Sequence, residues 1–304
     1  MKNLAARRIS KSGRPKRHSR EKMRAVMLEE MAKVNETRNT LGGQCLKDEH
    51  RTLDLMEIVE NATEEGATAI DLGAGCGPLS FAFLNAGGGK VVAIEQSEEL
   101  CRVLVRSAAR LGFNDRLEII ESNIFDWLMS YYIPKKVDFV LAELIGTGLL
   151  SEPMVKAMRF IRAHVGEDTV FIPEKAVSTL TLCNASGVPI SDPEIFDVVD
   201  MRTIDRDGVD AIISFRARAD VPGEITSGSL LLKTELHYPG GQTTGEYRML
   251  CNGVPFEVTD EHFYATPFKV RDGDNVIISL KYEYGREALL AQLVSINPAV
   301  GKAS

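Results

Sequence analysis

The sequence predicts an α/β unit built on a parallel, doubly wound sheet, followed by an all-β, barrel-like unit. Three observations carry that reading. Short apolar strands alternate with amphipathic helices up to about residue 172, the order that a doubly wound sheet requires. The first of those strands runs into the glycine-rich turn Gly73-Ala74-Gly75-Cys76-Gly77. From Ala176 onward, helical periodicity gives way to β-branched alternation, punctuated by Pro239-Gly240-Gly241, Asn252-Gly253 and Asp272-Gly273-Asp274. Pro173 marks the expected boundary, giving a basic arm at 1–20, an α/β unit at 21–173 and a β unit at 174–304.

In chain order, a helix is expected from Glu21 to about Val34, with Met23, Val26, Met27 and Met31 on one face. A break follows at Thr40-Leu41-Gly42-Gly43, then a helix from about Lys47 to Glu60 burying Leu53, Met56 and Val59. Strand one is Ala67 to Ile70, and the helix after the turn is Leu79 to Leu84. Strand two is Lys90 to Ile94, ending at Glu95. The helix Glu98–Leu111 sets Leu100, Leu104, Ala108 and Leu111 on one face. Strand three is Leu117–Ile120, followed by Asn123, and strand four is Val137–Ala142, ending at Glu143. The next helix has Ser151 as N-cap, Pro153 in its first turn, Met154, Met158, Ile161 and Val165 inward, and Gly166 as terminator. Later strands are expected near Ala176–Leu182, Asp210–Arg216, Leu230–His237, Glu246–Leu250, Asn275–Tyr282 and Leu289–Ile296.

Composition narrows the function classes. No apolar run approaches the ~20 residues that span a bilayer. Five scattered cysteines, without a C-x-x-C pair, suggest neither a disulfide framework nor a metal site, so a reducing, cytoplasmic setting is expected. Residues 1–24 hold ten Lys/Arg against Glu21 alone, whereas the remainder holds 26 basic and 42 acidic residues. The acidic body favours cationic substrates. Within the arm, Lys11-Ser12-Gly13-Arg14-Pro15-Lys16-Arg17 is similar to an AT-hook core and marks a weak nucleic-acid contact through residues 1–24 as one expectation, beside a solubilising tail.

In an open α/β sheet, ligands bind beyond the carboxyl ends of the strands, where this chain places Asp71, Glu95, Asn123 and Glu143. Gly73, Gly75 and Gly77 let a ligand lie against backbone amides at a helix N-terminus. Their G-x-G-x-G spacing, with Pro78 where a dinucleotide loop would place its third glycine, resembles the S-adenosylmethionine loop of class I methyltransferases. Glu95, 24 residues after Asp71, is positioned to accept hydrogen bonds from both ribose hydroxyls. Asn123 is read equally as an adenine contact or as a turn former. Glu143 and Glu152 bracket a glycine-containing loop that can turn both carboxylates to one point. Two converging carboxylates suit the planar fork of a guanidinium.

Three segments then resemble the protein arginine methyltransferase family. Val137 to Glu143 through Glu152-Pro153-Met154 is similar to its double-glutamate segment, with the same nine-residue gap. Leu46-Lys47-Asp48-Glu49-His50-Arg51-Thr52 is similar to its L-K-D-x-x-R-T segment, and Phe171 to Ala176 to its crossing into a β-barrel. The likeness covers roughly residues 44–183 well and the β part loosely. It implies that Arg51 binds the cofactor carboxylate, that Asp71, Gly73 and Gly75 hold the methionine end, that Glu95 holds the ribose, and that Glu143 with Glu152 hold the guanidino group. Glu143, at its strand end, is also placed to brace Arg51. The family's Thr-His-Trp loop has no clear counterpart, His262-Phe263-Tyr264 being nearest, and the segment 184–208 is short for its dimerisation arm.

The expectation is therefore an S-adenosylmethionine-dependent N-methyltransferase acting on a guanidino nitrogen of arginine, free or in a basic peptide, without a metal and compatible with a homodimer. Methyl transfer to another small amine, and a DNA-associated protein using its basic arm, are the rival readings.

Overall fold

The computed structural model describes residues 17–34, 41–130, 133–145, 149–150, 152–184, 186–218, 224–241, 243–244, 250–251, 254–255, 268–286 and 289–298. The first sixteen residues of the arm, Thr40, Ser151, the Asn252-Gly253 turn, most of the strand expected at 246–250 and His262-Phe263-Tyr264 lie outside them.

Helix α1 (Arg20–Ala32) starts one residue before the expected position, because Ser19 caps it through Lys22 N at 3.3 Å. It buries Met23, Val26, Met27 and Met31. Residues 17–19, assigned to the arm by their charge, are packed: His18 N and O bond the Asn85 amide at 2.8 and 3.0 Å, and Arg17 donates to the Ala86 carbonyl at 2.6 Å. The expected break at Leu41-Gly42-Gly43 is instead helix α2 (Leu41–Lys47). Tertiary contacts override the low helix propensity of the glycine pair. Arg24 of α1 donates to the terminal carbonyls of Leu46 and Lys47, at 3.0 and 2.9 Å, satisfying groups a helix end leaves open. Helix α3 (Glu49–Ala62) begins with Asp48 as N-cap and buries Thr52, Leu55, Met56, Ile58 and Val59, leaving Leu53 only half-buried.

Strands β1 (Thr68–Leu72), β2 (Lys90–Glu95), β3 (Leu117–Glu121), β4 (Phe139–Ala142) and β5 (Val170–Ile172) form one parallel sheet in the order β3-β2-β1-β4-β5. The chain winds outward from β1 to β3, then returns to β1's other side, so the switch point lies between β1 and β4. Helix α4 (Pro78–Ala86) follows β1 and is buried nearly all round. Helix α5 (Glu98–Leu111) matches its expected bounds, set by the Ser97 cap and the left-handed Gly112. A short helix, α6 (Ile124–Met129), follows β3 and was not expected. Helix α7 (Met154–Arg162) ends before the expected terminator Gly166 and keeps Met154, Met158 and Ile161 inward, with Val165 beyond it.

The later strands are antiparallel: β6 (Lys175–Asn184), β7 (Glu194–Asp200), β8 (Gly208–Arg216), β9 (Glu224–His237), β10 (Thr243–Thr244), β11 (Leu250–Cys251), β12 (Val254–Pro255), β13 (Phe268–Arg271), β14 (Asn275–Glu283) and β15 (Leu289–Asn297). One sheet runs β10-β9-β6-β7 with β13 on β9, another runs β15-β14-β8, and β11 pairs with β12. Strands β5, β7, β10, β12 and β13 escaped the sequence reading. Alternating inward residues such as Leu180, Leu232, Phe215, Ile278 and Leu280 continue the apolar core of the parallel sheet. A buried polar network also holds this part together: Asp197, 4% exposed, accepts Tyr284 Oη at 2.9 Å and the Arg206 guanidinium. A hydrogen bond to a charged group contributes roughly 1.5–3 kcal/mol, so Tyr284→Phe should destabilise the protein by about that much, measured as a lower urea midpoint at unchanged slope.

Candidate functional site

At the carboxyl ends of the parallel strands lies a cleft of about 400 Å³. Arg51, Asp71, Gly73, Gly75, Glu95, Asn123, Glu143 and Glu152 all line it, whereas Gly77 faces Leu104 and Phe81 instead. Its size falls within the range of small-ligand sites. Apolar Leu79, Ile94, Leu100 and Ile124 alternate with those polar groups around it.

The turn after β1 takes its shape from its glycines. Gly73, Gly75 and Gly77 have φ of 71°, 56° and 89°, in the left-handed region that side chains disfavour. A Cβ on Gly77 would come within 2.4 Å of Leu104 Cδ2. The amides of Gly73 and Ala74 both donate to the Ile94 carbonyl at 2.9 Å, which folds the turn back on β2. Glu95, at the end of β2, completes the arrangement. Its two carboxylate oxygens accept Gly75 N and Ser97 N, each at 2.8 Å. The carboxylate is thereby fixed in direction, and each oxygen retains acceptor capacity toward the cleft.

Asp71 is almost fully buried and accepts the Ser80 hydroxyl at 2.6 Å. Burial raises its pKa to about 7, against the lowering effect of the Ser80 hydrogen bond. Asn123 caps α6 through Phe125 N at 2.9 Å and donates to Gln96 Oε1 at 3.1 Å, so a helix-capping role accompanies its place on the cleft wall.

Arg51 reaches the cleft from the first turn of α3, where Asp48 Oδ1 accepts its backbone amide at 3.2 Å. Its guanidinium forms an ion pair with Glu143 and donates to Cys45 Sγ at 3.5 Å. Both partners are largely shielded from solvent, which strengthens the pair relative to a surface one. The bracing of Arg51 by Glu143 is thus present. Glu152 stands just before α7, on the same cleft. The sequence reading missed Cys45, Gln96, Ser97 and Phe125. Of these, only Ser97, in the run Glu95-Gln96-Ser97 before α5, carried a readable signal as a helix cap. Among the described residues, no group of three His, Cys, Asp or Glu side chains could hold a metal ion.

The raised pKa of Asp71 has a sign that can be measured. The folded state binds this proton more tightly than the unfolded chain, whose carboxyl titrates near 3.8. Stability contributed by protonated Asp71 is present at low pH and is lost as pH rises from about 4 to about 7. Asp71→Asn should therefore gain stability relative to the wild type as pH rises across that window, measured by thermal unfolding at several pH values.

No family model matches the chain. Among curated proteins, it is 34% identical over 142 residues to an uncharacterised protein of Methanocaldococcus jannaschii, covering 46% of this chain and 52% of that one. It is 29% identical over 134 residues to the arginine N(omega)-methyltransferase of Streptomyces achromogenes subsp. streptozoticus, covering 43% and 37%. The matched part thus spans about half, or less, of the length of these relatives. Among solved structures, a crystal structure of PRMT6 with SAH superposes with a TM-score of 0.65 at 12% identity, covering 82% of this chain and 98% of that one. The chain is thus similar in sequence, over nearly half its length, to an arginine methyltransferase, and in fold, over most of it, to PRMT6.

Proposed function

We propose that the protein is an S-adenosylmethionine-dependent methyltransferase whose acceptor is a guanidino nitrogen of arginine. One observation carries the reading: Glu143 and Glu152 line the same cleft as the glycine turn, Arg51 and Glu95. The residues fit the cofactor group by group. Glu95 offers a fixed carboxylate to a ribose diol, Gly73 and Gly75 let backbone approach the amino acid end, and Arg51 supplies a cation for a carboxylate. The likeness to arginine methyltransferases, some of them solved with SAH, supports the same choice.

When bound, S-adenosylmethionine supplies a methyl already activated by its sulfonium. The protein's task is then alignment, and holding two partners in attack geometry can supply ~7–11 kcal/mol. A guanidinium stays protonated at neutral pH, with a pKa above about 12, so its charge must be localised away from the attacking nitrogen. Glu143 and Glu152 accept hydrogen bonds from two of its nitrogens and leave electron density on the third. The proton of the methylated nitrogen departs afterwards, to a glutamate or to water. Free arginine and arginine in a basic peptide present the same group, so both belong to the acceptor class.

Calorimetry and single-turnover assays test the two halves separately. S-adenosylmethionine and S-adenosylhomocysteine should bind and raise the unfolding temperature, while NAD should not. Glu95→Ala should weaken that binding by roughly 1.5–3 kcal/mol, the worth of hydrogen bonds to a charged group. Glu152→Gln should leave it intact yet slow methyl transfer to arginine or a basic peptide by a factor of about ten to a thousand, or ~1.4–4 kcal/mol. The exposed Asp126, outside the cleft wall, provides the control, and Asp126→Asn should change neither. Full turnover in Glu152→Gln would sink the guanidino assignment, and NAD binding in place of S-adenosylmethionine would sink the whole reading.

A further inference from the structure

The loop between Glu143 and Glu152 ends in an unusual backbone. Leu149 is fully buried and, among the described residues, is the one non-glycine with positive φ, at 58°. Such a conformation is unfavourable for a branched side chain and persists only where neighbours enforce it. The neighbour here comes from the β part. Gly285, in the turn that follows β14, donates its amide to the Leu149 carbonyl at 3.0 Å. Gly285 itself has φ of 72°, and a Cβ built on it would lie 3.3 Å from Pro153 Cα and 3.4 Å from the Glu152 carbonyl oxygen. One glycine therefore touches both ends of the segment that carries Glu152.

The turn holding Gly285 is rigidly founded. Tyr284 N donates to the Asp207 carbonyl at 2.9 Å, and its hydroxyl enters the buried Asp197–Arg206 network. Helix α7, which follows Pro153, is tied to the β part as well, where Arg159 pairs with Asp207 and where Arg162 reaches the Arg202 carbonyl at 3.3 Å.

We infer that the turn at Gly285 is a positioning device for Glu152, with Gly285 as the positioning residue that fixes where this carboxylate stands in the cleft. Its catalytic meaning rests on the guanidino reading of Glu152; the contact itself does not. A Cβ at position 285 displaces the Glu152–Pro153 backbone by a few tenths of an ångström. Misplacement by 1 Å can cost about a hundredfold in rate, so Gly285→Ala should lower kcat by roughly tenfold. Affinity for S-adenosylhomocysteine should stay at the wild-type value, because Gly285 is absent from the cleft lining.

Two substitutions separate positioning from mere stability. Asparagine tolerates positive φ but keeps the Cβ, so Gly285→Asn should recover much of the unfolding temperature lost in Gly285→Ala while kcat stays low. In a Glu152→Gln background, Gly285→Ala should add no further loss of rate, as expected for two changes acting through one carboxylate. Hydrogen exchange gives a readout free of activity: the amides of Glu152 and of residues 154–160 should exchange faster in Gly285→Ala, with the β1–β2 region unchanged. If the wild type methylates neither arginine nor a basic peptide, the guanidino reading falls, and the exchange result alone decides on the contact. Wild-type exchange in Gly285→Ala, recovery of kcat in Gly285→Asn, or additive losses in the double variant would each overturn the inference.

Discussion

The pair of hydrogen bonds at Glu95 is the constraint on which the site depends. One carboxylate, at the end of β2, binds the amide of Gly75 from the preceding turn and the amide of Ser97 at the start of the following helix. Three separate pieces of chain are thus referred to a single side chain. The glycines make the turn possible, but they also make it floppy in the unfolded chain, since glycine has the most backbone freedom to lose. A buried carboxylate with two backbone donors, each made at 2.8 Å, offsets that cost and selects one loop shape. The backbone bonds from Gly73 and Ala74 to Ile94 reinforce the same strand end.

The cleft is also strongly biased in charge. Asp71, Glu95, Glu143 and Glu152 face Arg51 as the cation on its lining. Desolvation acts on the most buried of them, Asp71, which carries its proton until near neutrality. Arg51 holds Glu143, so the wall nearest β4 is an ion pair rather than a bare carboxylate. Such a lining repels anions, which suits a cationic ligand better than a phosphate.

Much of this was legible because the signals are local. Strand-end acids, a G-x-G-x-G turn and capped helices are written within a few residues of where they act. Helix α5 was readable to the residue since Ser97 and Gly112 punctuate it. Helix α2 was not, because Gly42-Gly43 reads as a break and the groups that complete the helix come from Arg24. The six-residue α6 is too short for periodicity to reveal, and Asn123, read evenly as an adenine contact or a turn former, caps it. Strand β7 was hidden for another reason: Asp197 breaks its apolar pattern, and only the distant Tyr284 and Arg206 explain a buried acid there. The contact between Gly285 and Leu149 is equally nonlocal, and neither residue announces it.

That last contact bears on the order in which the site is assembled. The glycine turn, Glu95 and the β1–β2 pairing come from neighbouring stretches of chain, which meet at little entropic cost. The support for Glu152 comes from a turn beyond β14, near the end of the described chain. Contacts of such sequence separation are slow to form and are made after the local ones. The two sides of the cleft therefore rest on contacts of different range, the glycine turn on neighbouring stretches and the Glu152 loop on the late β strands.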